Sequence, residues 1–255
     1  VNRIAAIFRW ELLLALRNRF MLAFAIASIL GGVTLLAAAP APETLAMAAI
    51  QVILFFGSLL AFLVGWSSGQ QARAEGAFLF AQPIGAGELV VGKVLGAGSW
   101  CLALLLLFLA PAAIQAGMTD TLLTLILLAS GYALVCLSAG LLIGLSAAPV
   151  PGLLAVLMSW VILVAGWELG LLVLAEIGGI ASLPALFVTL LLVNPAGVFR
   201  IGALVGLETI PFDTAELETG RLAFDYIWTT AGTVFIGWIL AILTLTIWRV
   251  GRAEF

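Results

Sequence analysis

Long apolar runs, broken by short polar or proline-marked gaps, dominate the chain. A hydrocarbon layer about 30 Å thick is crossed by roughly 20 apolar residues in a helix. Six stretches reach that length: 20–39, 45–67, 94–116, 120–146, 152–176 and 226–248. Pro40 and Pro42 separate the first two, Gly117 and Asp120 the third and fourth, and Pro149 and Pro151 the fourth and fifth. The pattern predicts an all-α polytopic membrane protein, one transmembrane domain over residues 1–255, with six spans.

Two segments do not fit that simple alternation. Asn2 to Arg19 reads as a helix, but Arg9, Glu11, Arg17 and Arg19 point in several directions at 100° per residue. One face is therefore expected to meet lipid or the bundle, and another to meet protein. Residues 177–225 carry an apolar run, Ile180 to Val193, that Pro184 interrupts and that is short for a crossing. It reads as a re-entrant or interfacial helix on the outer side. The alternative is a seventh span, which would put Arg249 and Arg252 outside. Residues 207–225 are acidic and loop-like.

Composition agrees with the membrane reading. The chain is 64% hydrophobic and 9% charged, where soluble proteins carry about 25% charged residues. Its mean hydropathy is +1.28. The ten basic residues set the orientation. With the N-terminus in the cytoplasm, the N-terminal segment, the 68–93 loop, the 147–151 turn and the C-terminus hold eight of them, leaving only Arg200 and Arg221 outside. The first apolar run is longer than the core of a signal peptide, so it is expected to stay as a span. No basic patch points to nucleic acid.

Candidate chemistry is sparse. Histidine is absent, which removes the commonest general base and metal ligand. An intramembrane hydrolase would need a Ser–His pair or paired aspartates in the spans, and neither is present. Cys101 and Cys136 fall in apolar runs and read as small buried residues. Gly87 to Lys93 fits G-x-x-x-x-G-K, but Val94 stands where a phosphate loop has Ser or Thr, and no strand precedes it. The chain itself is not expected to hydrolyse ATP. Small-x-x-x-small pairs recur at Gly65/Gly69, Gly92/Gly96, Gly140/Gly144, Gly166/Gly170 and Gly202/Gly206, and predict a tightly packed bundle. Glu168 is the ionisable residue well inside a span. Such a carboxylate is either functional or a partly hydrated group satisfied by a neighbour. The 68–93 loop presents Phe78, Leu79 and Phe80, apolar side chains that want a partner surface or the bundle itself.

These features together resemble type-2 ABC transporter permeases. The resemblance rests on the N-terminal helix with Arg9, Glu11, Arg17 and Arg19, the Glu75-Gly76 element, Pro83, and the Gly92-Lys93 pair opening the third span. It covers the whole chain through short motifs. Within the family the chain is similar to the Nos-type branch, which serves maturation of the copper sites of nitrous oxide reductase. That likeness is carried by Asn194 to Ile201 (NPAGVFRI) and by PIGAGELVVGK, where Gly85 and Ala86 replace the polar or basic residue usual after the proline. With no histidine and only Met21, Met47, Met118 and Met158, the bundle offers a copper ion few soft or imidazole ligands.

The resemblance implies a permease in the bacterial inner membrane with both termini cytoplasmic. Two copies would pair and dock cytoplasmic ATPase subunits, which would hold the ATP and Mg; the chain would need no cofactor or metal of its own and would not be an enzyme. It also implies coupling residues Arg9, Glu11, Arg17, Glu75, Gly76, Phe78, Pro83 and Lys93. A periplasmic partner would dock at Asn194, Pro195, Phe199 and Arg200, with Phe199 as anchor, and the output would be a sulfur species or mechanical work on that partner. At this outer element Pro195 turns Asn194 away from helix, so Asn194 is expected to cap a new helix with Pro195 in its first position. Arg200 would then pair with acidic neighbours such as Glu208. Three alternatives stand beside the family reading: a non-transporting assembly or anchoring subunit, an ABC exporter of another substrate, and a secondary transporter. The last would need paired mid-membrane charges and two repeated halves.

Overall fold

The computed structural model describes residues 3–38, 42–75, 84–116, 120–178, 184–206 and 227–252. Among them all regular structure is helical, with no strand. Five helices are each long and apolar enough to cross a bilayer, and the number rises to seven if each of two bent helix pairs counts as one span. The chain is a multi-pass helical membrane protein.

In chain order, α1 (Arg3–Ala15) and α2 (Arg19–Ala38) form the first bent pair, at 67°. Asn18 makes the corner. Its Oδ1 accepts the Phe20 N–H at 2.9 Å, capping α2, and its Nδ2 donates to Ser67 Oγ at 2.6 Å. Next come α3 (Pro42–Val52) and α4 (Ser58–Ala74), continuous through a π-helical turn at Ile53–Gly57. Then follow α5 (Ala86–Ala116), which carries Pro111 within it, and α6 (Asp120–Ser146). Helices α7 (Pro149–Val161) and α8 (Trp167–Gly178) are joined by a second π-helical turn, Ile162–Gly166. The second bent pair, α9 (Pro184–Val193) and α10 (Pro195–Gly206), turns through 104°. α11 (Ile227–Arg252) closes the chain.

Helix α6 is the axis of the bundle, and its most intimate partner is α4. Lipid tails are as apolar as leucine, so helices in a membrane associate by close packing rather than by escape from water. The glycines supply that closeness. A Cβ on Gly65 would lie 2.0 Å from the Leu137 carbonyl oxygen, and one on Gly69 2.7 Å from that of Leu141. In return, Gly140 and Gly144 press on the carbonyls of Phe62 and Trp66, where a Cβ would sit at 2.1 and 2.3 Å. Two of the small-x-x-x-small pairs read from sequence are thus the two halves of one interface.

The inner loop differs from expectation. Helix α4 runs on to Ala74 and α5 begins at Ala86, so 68–74 and 86–93 of that segment are helix, while 76–83 lie outside the described residues. The polar start of the segment, Gln70, Gln71 and Arg73, is expected as a separate short helix, and it is instead the unbroken end of α4, which continues past the hydrocarbon without a change of backbone. Gln70 Nε2 donates to the carbonyls of Gly144 and Ala147 at 2.9 and 2.7 Å, so its polarity caps the end of α6. Glu88 anchors the start of α5 by accepting the Gly85 N–H at 2.9 Å, as the third residue of a capping box does. The Gly87–Lys93 run therefore lies inside a helix and has no strand–loop–helix shape.

Candidate functional site

Two polar constellations stand out, one near the start of α5 and one at the α9–α10 break. The first joins three helices. Successive turns of α1 meet successive turns of α5: Arg3 lies 3.6 Å from Glu88, a Cβ on Gly92 would meet the Ile7 side chain at 2.7 Å, and one on Gly96 would meet Glu11 Cβ at 2.6 Å. The Gly92/Gly96 pair thus makes the bed on which α1 lies. Between the two glycines projects Lys93, whose Nζ donates to Glu11 Oε2 at 2.7 Å. Ser68 of α4 donates its hydroxyl to the other carboxylate oxygen, and Lys93 Nζ lies 3.4 Å from Ser68 Oγ. Lys93 and Glu11 are 3% and 5% exposed. Trp100 adds an indole bond to the Leu12 carbonyl at 3.0 Å. A buried charge pair of this kind requires good geometry and extra hydrogen bonds, and both are present.

The second constellation holds a sharp helix break together. Asn194 caps α10 through the Ala196 N–H at 3.1 Å, with Pro195 in the first helical position as expected. Its Nδ2 reaches across to the Leu163 carbonyl, inside the second π-helical turn, at 2.8 Å. Carbonyls at the end of α9 are met by tryptophans: Trp167 Nε1 donates to Leu190 and Trp238 Nε1 to Val193, each at 2.9 Å. Arg200 Nη1 pairs with Glu168 Oε2, the two side chains being 27% and 22% exposed. So Arg200 turns to the span-five carboxylate, while Glu208 lies outside the described residues. Arg200 Nε has no hydrogen-bond partner among the described residues.

No protein-family model matches this chain, and no curated protein matches it at a significant level.

Of the residues singled out from sequence, the structure brings Glu11 to Lys93 and Glu168 to Arg200. Arg9 and Arg17 are exposed. Glu75, half-buried just past α4, accepts a bond from Gln71 Nε2 at 3.1 Å. Gly76, Phe78 and Pro83 lie outside the described residues. The residues of the expected outer docking surface are largely enclosed in the fold. Asn194, Pro195 and Phe199 are all buried, and Phe199 is stacked on Tyr132 with ring centroids 5.2 Å apart. Phe199 thus packs inside the fold. Ser68, Asn18, Trp167 and Trp238 were not anticipated, and nothing local in the sequence marks them. Cys101 and Cys136 are free and buried. Among the described residues no three His, Cys, Asp or Glu side chains gather as metal ligands.

The double role of Asn194 makes it sensitive. Asn194→Ala removes the cap and leaves the Leu163 carbonyl without its donor. A lost cap costs about 0.5–2 kcal/mol and an unsatisfied buried group about 1–3 kcal/mol. Thermal melting of the purified protein should fall most for Asn194→Ala and by less for Asn194→Asp, which keeps the cap but, as a carboxylate, cannot donate to Leu163. Equal losses would show that the cap contributes little beside the cross-helix bond.

Proposed function

We propose that the chain is the membrane-spanning permease subunit of an ATP-driven transporter of the type-2 ABC kind. In this reading α2, α3–α4, α5, α6, α7–α8 and α11 are six spans with both termini cytoplasmic, and α9–α10 is re-entrant on the outer side. Helix α9, at 10 residues, is about 15 Å long, half a bilayer crossing. Two copies would pair, each docked to a separate cytoplasmic ATPase that holds ATP and Mg.

The observation that carries the reading is the Glu11–Lys93–Ser68 constellation. It ties the N-terminal helix to α4 and α5, the two helices that flank the inner connection. Glu11 and Lys93 are also two of the residues on which the family resemblance rests. A subunit docked at 75–85 would push on the ends of α4 and α5, and the buried pair would pass that push to α1 as one body. The Nos-type version of the reading gives the outer face of α9–α10 a periplasmic partner, with a sulfur species or mechanical work as the output.

Tagged protein, purified from the cell that makes it, should carry a nucleotide-binding subunit whose ATP turnover is higher in the complex than alone. Glu75→Ala should lower that stimulation severalfold at an unchanged membrane level of the permease. A protein that brings no ATPase with it from native membranes sinks the proposal and favours an assembly or anchoring role.

A further inference from the structure

The face of α1 turned away from α5 is built for neither water nor the bundle interior. Ile7, Glu11 and Ala15 point inward and are buried, while Trp10, Leu13 and Leu16 are 55%, 65% and 64% exposed. Arg9 lies beside them, and Arg17 and Arg19 follow at the corner and at the start of α2; all three are exposed. Among the described residues none of these three arginines has a carboxylate in ion-pair range. The acid within α1, Glu11, is already taken by Lys93 on the opposite face. The end of α11 repeats the theme: Arg249 and Arg252 are exposed, and the Arg252 guanidinium lies 4.4 Å over the Trp248 ring. The two borders adjoin at the first turn of α5, where a Cβ on Gly87 would meet Ile247 at 3.9 Å beside the Arg3–Glu88 contact.

We propose that this arginine–tryptophan border binds the headgroups of anionic phospholipids in the leaflet on that side. The charge and the apolar area both call for such an occupant. Trp10, Leu13 and Leu16 need hydrocarbon, which the upper acyl region supplies, and the guanidiniums need phosphate oxygens within the same few ångströms. A negatively charged leaflet meets three exposed arginines with no carboxylate beside them among the described residues. The inference assigns Arg9 and Arg17 to lipid rather than to an ATPase. It does not depend on the transport reading, since it requires only a bilayer beside α1.

The test uses the full chain in phosphatidylcholine nanodiscs containing phosphatidylglycerol, with retained lipids counted by native mass spectrometry. Wild type should hold phosphatidylglycerol over phosphatidylcholine, and raised salt should weaken the preference. Arg9→Gln, Arg17→Gln and Arg19→Gln together should cut the retention, by roughly fivefold for each arginine. The three corresponding lysine changes should keep most of it, and Arg73→Gln, on the end of α4, should leave it alone. No preference in wild type, or an unchanged preference in the triple glutamine protein, overturns the proposal. So does a triple variant that keeps its lipids and instead loses a co-purifying protein. If the triple glutamine protein does not assemble, the salt titration of wild type and the lysine variant decide.

Discussion

Lys93→Ala is expected to cost the protein about 3–5 kcal/mol, the usual penalty for leaving one partner of a buried ion pair alone. Lys93 and Glu11 are almost wholly enclosed, and the Nζ–Oε2 distance is 2.7 Å. Without the ammonium, Glu11 keeps only the Ser68 hydroxyl. Its charge is shielded from water, because the side chain is buried where α1 lies close on Gly96. The strain should be relieved by α1 leaving α5. Thermal melting in detergent should drop sharply, and a protease should cut the N-terminal helix in the variant at doses that spare wild type. Glu11→Gln combined with Lys93→Met removes both charges and should recover most of the loss. A Lys93→Ala protein that melts like wild type would show that the pair contributes nothing to the bundle.

Gly65→Ala should be at least as damaging, for a reason that has nothing to do with charge. The added methyl would sit 2.0 Å from the Leu137 carbonyl oxygen, whereas a C···O contact settles near about 3.3 Å. The obstacle is backbone, so no rotamer change yields space. The α4 and α6 axes would have to part by roughly 1 Å, opening the reciprocal contacts at Gly69, Gly140 and Gly144 together. Ordinary overpacking costs about 1–3 kcal/mol, and here the displaced element is the axis of the molecule. Loss of monodisperse protein on size exclusion is the expected result. Gly170→Ala and Gly232→Ala make the same chemical change where nothing lies within 4 Å and should be silent. If Gly65→Ala is equally silent, the interface is looser than described.

How far the sequence carries is visible in these same residues. Span positions were readable because hydrocarbon thickness fixes helix length: the fourth span was expected at 120–146, and α6 is Asp120–Ser146. The Asn194-Pro195 cap was readable because both residues act on their own backbone. The extension of α4 through Ala74 was not, because hydropathy marks where lipid ends and not where a helix does. The Glu11–Lys93 contact spans 82 residues and leaves no local trace. Glycine pairs announced close packing without naming partners. Phe199 is apolar on a short helix beside polar neighbours, and only its stack on Tyr132, from a helix far back in the chain, shows it to be interior.

The bed that holds α1 has a bearing on the order in which the molecule can be made. Helices α1 and α2 leave the ribosome before α5, since Gly92, Lys93 and Gly96 are synthesised some 80 residues after Glu11. Until α5 is threaded in, Glu11 has no counter-charge and the bent pair has nothing to lie against. The N-terminal hairpin therefore waits at the membrane as an unfinished part. Arrival of α5 completes it, and a chain stalled before Lys93 has left the ribosome would keep α1 loose and open to attack.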